Sequence, residues 1–152
     1  MSFQPSKHLP AVFIGFVFVQ SLFFKFTGSY ETEYIFGTLG DWSGLELFAQ
    51  YGAYVIGSAE LIATVLLFSR WHGLGALMAV GIMSGAIIFH LFTPLGIVMP
   101  EFNEAGDIVG YDNGLLFGMA CLVWLSAAFL SLRDLKSESG VLSHLYTTFF
   151  KS

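Results

Sequence analysis

The chain has 152 residues, of which 55% are apolar and only 11% charged, against roughly 25% charged in an ordinary soluble domain. Its formal charge of −5 and its six scattered Lys and Arg residues leave no basic groove for nucleic acid. A single cysteine, Cys121, excludes an intrachain disulfide or a CxxC dithiol relay.

Four apolar stretches reach the roughly 20 residues that a membrane-spanning helix needs: residues 9–26, 50–68, 73–92 and 114–132. The expected fold is therefore all-α and integral to a membrane, an up-down four-helix transmembrane bundle forming one domain over residues 1–152. Pro10 stands where the first helix begins, a position that tolerates its missing N–H. That stretch runs too long for a signal peptide and lacks a small-residue cleavage site, so it is kept as a mature helix.

The connections carry the orientation. Lys7, Arg70, Arg133, Lys136 and Lys151 all fall on one side of the four spans, whereas the first and third connections hold only acids, among them Glu31, Glu33, Asp41, Glu101, Glu104 and Asp107. The distribution of basic residues places both termini in the cytoplasm and the long acidic connections outside. Ser69 to His72 is a tight turn, which makes the second and third spans antiparallel neighbours. In the first connection, Tyr34, Ile35, Phe36 and Leu39 recur at helical spacing after Thr32, which predicts a short helix on the outer surface. An ordered loop lying over the bundle is the alternative. In the third, GIVMPEF, the turn residues NEAGD and IVGYD predict a small β-hairpin over about 97–111. The tail, 141–152, sets Val141, Leu142, Leu145, Tyr146, Phe149 and Phe150 on one face of an inner amphipathic helix.

Inside the spans lie a few polar groups, and each needs an explanation. An ionisable side chain at the bilayer centre costs at least about 2.5 kcal/mol, and Glu60 falls ten positions into the second span, roughly 15 Å down at 1.5 Å per residue. Lys25 and His90 sit at the outer ends of the first and third spans, with Gln20 between the two depths. Together they outline a polar path from outside toward Glu60, with Glu60 and His90 as proton-exchanging candidates and Lys25, Gln20, Glu60 and His90 as ligand-binding ones. Lys25 can instead snorkel to the interface. His90 can instead bond a backbone carbonyl or Ser84, and Glu60 can serve as an interhelical staple. Small residues mark the inward faces: Ala53, Gly57, Glu60 and Thr64 on the second span, Gly75, Ala79, Met83, Ala86 and His90 on the third, and Gly114, Gly118, Cys121, Leu125 and Ala128 on the fourth. The ligand set is too thin for a metal, and no two histidines face each other for haem.

Read as blocks, FKFTGSYETEYIF (24–36), GSAELIATVLL (57–67), GALMAVGIMSGAIIFHL (75–91) and DNGLLF (112–117) resemble the DoxX-like family of small bacterial four-helix membrane proteins. That resemblance implies a bacterial inner-membrane location, intramembrane polar positions at Lys25, Glu60 and His90, and a respiratory or oxidative-stress role beside other membrane or redox subunits or in a homo-oligomer. The expected function is thus a redox accessory subunit with no intrinsic cofactor, binding quinone or a small amphiphile. A non-enzymatic scaffold whose polar trio only fixes helix packing, and a small proton-coupled carrier, remain as alternatives.

Overall fold

A computed structural model describes residues 5–150. It is mostly helical: α1 (Pro5–Thr27), α2 (Tyr30–Ser43), α3 (Glu46–Leu67), α4 (His72–Phe92), α5 (Leu115–Lys136) and α6 (Val141–Phe150), with strands β1 (Pro100–Phe102) and β2 (Ile108–Tyr111) between α4 and α5. Four helices, α1, α3, α4 and α5, are long and apolar enough to cross a membrane. Two helices start earlier than expected: α1 at Pro5, which leaves Pro10 inside the helix rather than at its beginning, and α3 at Glu46 rather than near Gln50. The expected tail helix is present through Phe150, and its last two positions lie outside the described residues.

The long helices close into a ring in which α3 touches α1 and α4, and α5 touches α4 and α1. Its interior is made by Ala11, Ile14 and Phe18 of α1, Ala63 and Leu67 of α3, Ala76, Ala79 and Met83 of α4, and Ala120, Val123, Ala127 and Leu130 of α5. Where lipid replaces water, burying apolar area gives little drive for helices to associate, and close approach of small residues carries the packing. Gly75 is one such point, where α4 meets the backbone of α3. A Cβ there would stand 2.5 Å from the backbone N of Leu67 and 2.8 Å from the carbonyl of Ala63. Large apolar side chains, Phe16, Phe23, Val55, Val65, Leu122 and Phe129 among them, stay exposed on the outside of the ring.

On α3 and α4 the inward faces are the expected ones: Ala53, Gly57, Glu60, Gly75, Ala79, Met83 and His90 are buried. On α5 the expectation fails. Gly118 and Leu125 are exposed, and the buried stripe is Ala120, Val123, Ala127 and Leu130. Small residues at four-residue spacing occur on both sides of α5, so size alone does not choose the face; Val123 and Leu130 share one buried core with Ala11, Ile14 and Phe18 of α1.

The first connection is a helix, α2, capped by the Ser29 hydroxyl, which accepts the N–H of Thr32 at 3.3 Å, and stopped by Gly44 at φ 69°, a left-handed turn suited to glycine. α2 lies against the first half of α3, Gly40 on Ala49 and Phe36 on Gly52. The hairpin pairs Pro100 with Tyr111 and Glu101 with Gly110, antiparallel, with an irregularity at Glu101 and Phe102. Ile97 to Met99, expected within it, are not strand. That segment is instead tied by Asp112, whose Oδ1 accepts the N–H groups of Met99 (2.7 Å) and Gly114 (2.9 Å) and whose Oδ2 accepts that of Leu116 (2.9 Å).

Burial works to raise the Asp112 pKa, but donation from Leu116, Met99 and Gly114, with the field of nearby His90, outweighs it and holds the carboxyl below its ordinary value. A depressed folded pKa contributes stability that is present above the unfolded value, about 3.9, and is lost as pH falls through the folded one. Thermal melts in detergent from neutral pH into this acidic range should therefore show a decline that Asp112→Asn flattens. At neutral pH the variant should melt lower, by the roughly 1 kcal/mol typical of a lost helix cap. Equal acid slopes for the two proteins would rule this role out.

Candidate functional site

Lys25 is in the last turn of α1, and Glu60 stands past the middle of α3. They meet because the helices are staggered: Gly57 of α3 lies under Phe26 and Leu22, and Gly15 of α1 lies against Thr64 and Phe68. The last turn of α1 is thus level with mid-α3, and α2 covers the half of α3 that α1 does not reach. Lys25 turns inward along this seam rather than outward along its own helix.

The result is a closed polar set. Lys25 Nζ donates to Glu60 Oε1 at 3.0 Å and Oε2 at 2.9 Å, and to Ser21 Oγ at 3.0 Å, so its three N–H donors are all used. The Ser21 hydroxyl hydrogen has two acceptors in reach, Glu60 Oε2 at 2.7 Å and the Phe18 carbonyl at 2.8 Å. The Glu60 side chain is 3% exposed and that of Lys25 16%, so the lysine is the more open member of the pair. Phe26, the next residue of α1, and Tyr54 of α3 stack with centroids 6.0 Å apart and planes 17° apart. Both rings are about half exposed on the outside of the bundle.

Of the residues proposed from sequence, Lys25 and Glu60 come together, and Gln20 and His90 do not join them. Gln20 is exposed on α1. Five residues from Lys25 turn the helix by about 140° beyond a full circle, whereas the four from Ser21 to Lys25 turn it by only about 40° beyond one. Ser21 is therefore the group that α1 adds, and its i, i+4 spacing to Lys25 was the available sign. His90 is buried at the far end of α4. Because Gly75 packs on Ala63 to Leu67, Glu60 is level with about residue 81 of α4, and His90 lies about 13 Å further along the axis at 1.5 Å per residue.

There His90 has its own neighbours. Nδ1 is 2.5 Å from the carbonyl oxygen of Gly96, the ring stands edge-on to Phe117 at 5.8 Å, and Asp112 is within electrostatic reach. Nδ1 must carry the proton to donate to Gly96. His90 thus fastens the loop after α4, as the backbone-carbonyl alternative for it had it, while Ser84 accepts instead from Trp124 Nε1 at 2.9 Å. Among the described residues no group of three or more His, Cys, Asp and Glu is placed to hold a metal ion.

Chemically, the Lys25, Ser21 and Glu60 set joins an amine, a hydroxyl and a carboxylate, and can turn an N–H or O–H to a polar oxygen arriving beside Lys25. Comparison of the chain with family models, with curated proteins and with solved structures found no match.

Proposed function

We propose that this chain is a DoxX-like inner-membrane protein of bacteria, an up-and-down four-helix bundle with both termini in the cytoplasm and with α2 and the hairpin on the outer face. It acts as an accessory subunit of a respiratory or oxidative-stress redox system, beside other subunits or a second copy, by binding quinone or a similar amphiphile at Lys25, Ser21 and Glu60. The placement of Lys7 and Arg133 around His72, at the start of α4, supports a single basic end for the bundle, as the cytoplasmic assignment requires.

One observation carries the ligand reading: the lysine of a satisfied ion pair keeps a partly exposed side chain, and the next residue of α1, Phe26, stacks with Tyr54 of α3 on the outside of the bundle. A quinone head has a flat ring and polar oxygens. The aromatic faces suit the ring, and the ammonium and hydroxyl suit an oxygen, while Glu60 holds or gives up the proton that a change in the ligand's charge would demand. His90 takes no part in this site. Photolabelling with an azido-quinone tests the assignment. Adducts should map to the segments 21–26 and 54–61 and be displaced by unlabelled quinone; adducts confined to other helices would refute it.

The scaffold reading keeps one point in its favour. Every donor of Lys25 already has a protein partner, so the pair needs no ligand to be satisfied, and a purely structural lock would look the same at rest.

A further inference from the structure

At the opposite end of the bundle, the turn between α3 and α4 and the first two turns of α6 enclose a groove of about 530 Å³ whose walls include Arg70, Trp71, Glu138, His144, Leu145 and Thr148. The Arg70 guanidinium lies over the Trp71 ring at 5.3 Å and makes no ion pair among the described residues, so its planar fork of donors is available at the groove wall. Across the groove, Thr148 Oγ1 is 3.5 Å from His144 Nδ1, adding a hydroxyl and an imidazole to the same opening. α6 follows α5 after only four residues, so it leaves the bundle at the membrane surface, and its Leu145, Tyr146 and Phe149 are exposed.

We propose that this groove binds the head group of an anionic phospholipid, the phosphate on Arg70 with His144 and Thr148, while Leu145, Tyr146 and Phe149 rest among the acyl chains. An aqueous pocket for a free anion would not need that apolar face. A lipid does, because its phosphate and its chains arrive together at the depth where a surface helix lies. The sign of the lipid follows from the surroundings: Lys7, Arg133 and Lys136 share this end, and juxtamembrane basic groups favour anionic leaflets. Glu138 opposes the assignment locally and weakens it by its own charge. The inference is independent of the Lys25 and Glu60 site, and failure of either leaves the other standing.

The full chain in phosphatidylcholine nanodiscs containing a minority of phosphatidylglycerol provides the test, with native mass spectrometry reading which lipid stays bound on release. Wild type should retain phosphatidylglycerol over phosphatidylcholine, and Arg70→Gln should cut that selectivity about tenfold, as expected for one charge-assisted contact. His144→Gln should cut it less, and Glu138→Gln should raise it. Lys136→Gln, outside the groove, should cut it far less than Arg70→Gln, by the small effect of one juxtamembrane charge, and all four variants fold normally by circular dichroism if these surface residues only bind lipid. Equal selectivity in Arg70→Gln and wild type, or an equal loss in Lys136→Gln, would overturn the proposal. So would inorganic phosphate stabilising the protein in pure phosphatidylcholine as well as phosphatidylglycerol does, since the site would then be one for a free anion.

Discussion

Replacing Lys25 by methionine alone should destabilise the chain by about 3–5 kcal/mol, the usual result of stranding one member of a buried pair. Glu60→Leu alone should do nearly as much, because Lys25 then keeps its charge and loses its bidentate partner. The paired variant Lys25→Met with Glu60→Leu should recover most of the loss, since apolar replacements of both partners are often neutral or stabilising. Thermal melts of the four proteins in one detergent measure the cycle. The interaction is confirmed by recovery in the pair, and additive losses would mean that the two side chains act separately. The same cycle limits what single substitutions can reveal: either one alone will damage stability whether the site is a ligand site or a lock.

The second large effect belongs to Gly75. Gly75→Val should destabilise by about 3 kcal/mol or more, above the usual range for overpacking, because the added atoms meet the backbone of Ala63, Leu66 and Leu67 and backbone cannot step aside as a side chain can. α4 would have to move off α3, carrying the contact that sets the level of Glu60. Gly81→Val, on the same helix with nothing within 4 Å of its Cβ position, is the matched control and should melt close to wild type. Equal behaviour of the two variants would show that α3 and α4 do not approach as closely as described.

Much of this was legible from residues alone, and the failures have specific causes. The four apolar helices follow from composition, and the hairpin follows from turn residues flanked by β-branched runs, because both depend on local chemistry. Thr32, Phe36 and Leu39, spaced as a helix, are buried on α2. Depth along a single helix was misleading for Lys25, since it assumes that helices start level; the stagger of α1 against α3 is a property of packing and brings an end residue to a mid-helix one. Gln20 was chosen for its depth on the first span, although rotation about the helix decides which of the neighbours Gln20 and Ser21 faces in. The Gly96 carbonyl that holds His90 depends on a chain reversal at φ 73°, which no spacing rule foretells. On α5, glycine and alanine at both faces left the inward side undetermined until the shapes of α1 and α4 fixed it.

These points bear on function through one question, whether the Lys25 and Glu60 pair serves a visiting molecule or only its own helices. Binding of a short-chain quinone analogue to the wild type and to the folded Lys25→Met, Glu60→Leu variant, measured at matched thermal stability, answers it. The account predicts saturable binding by the wild type and at least about a tenfold loss in the paired variant, the equivalent of one good polar contact. Unchanged affinity in a variant that has no ammonium and no carboxylate at this seam would contradict it.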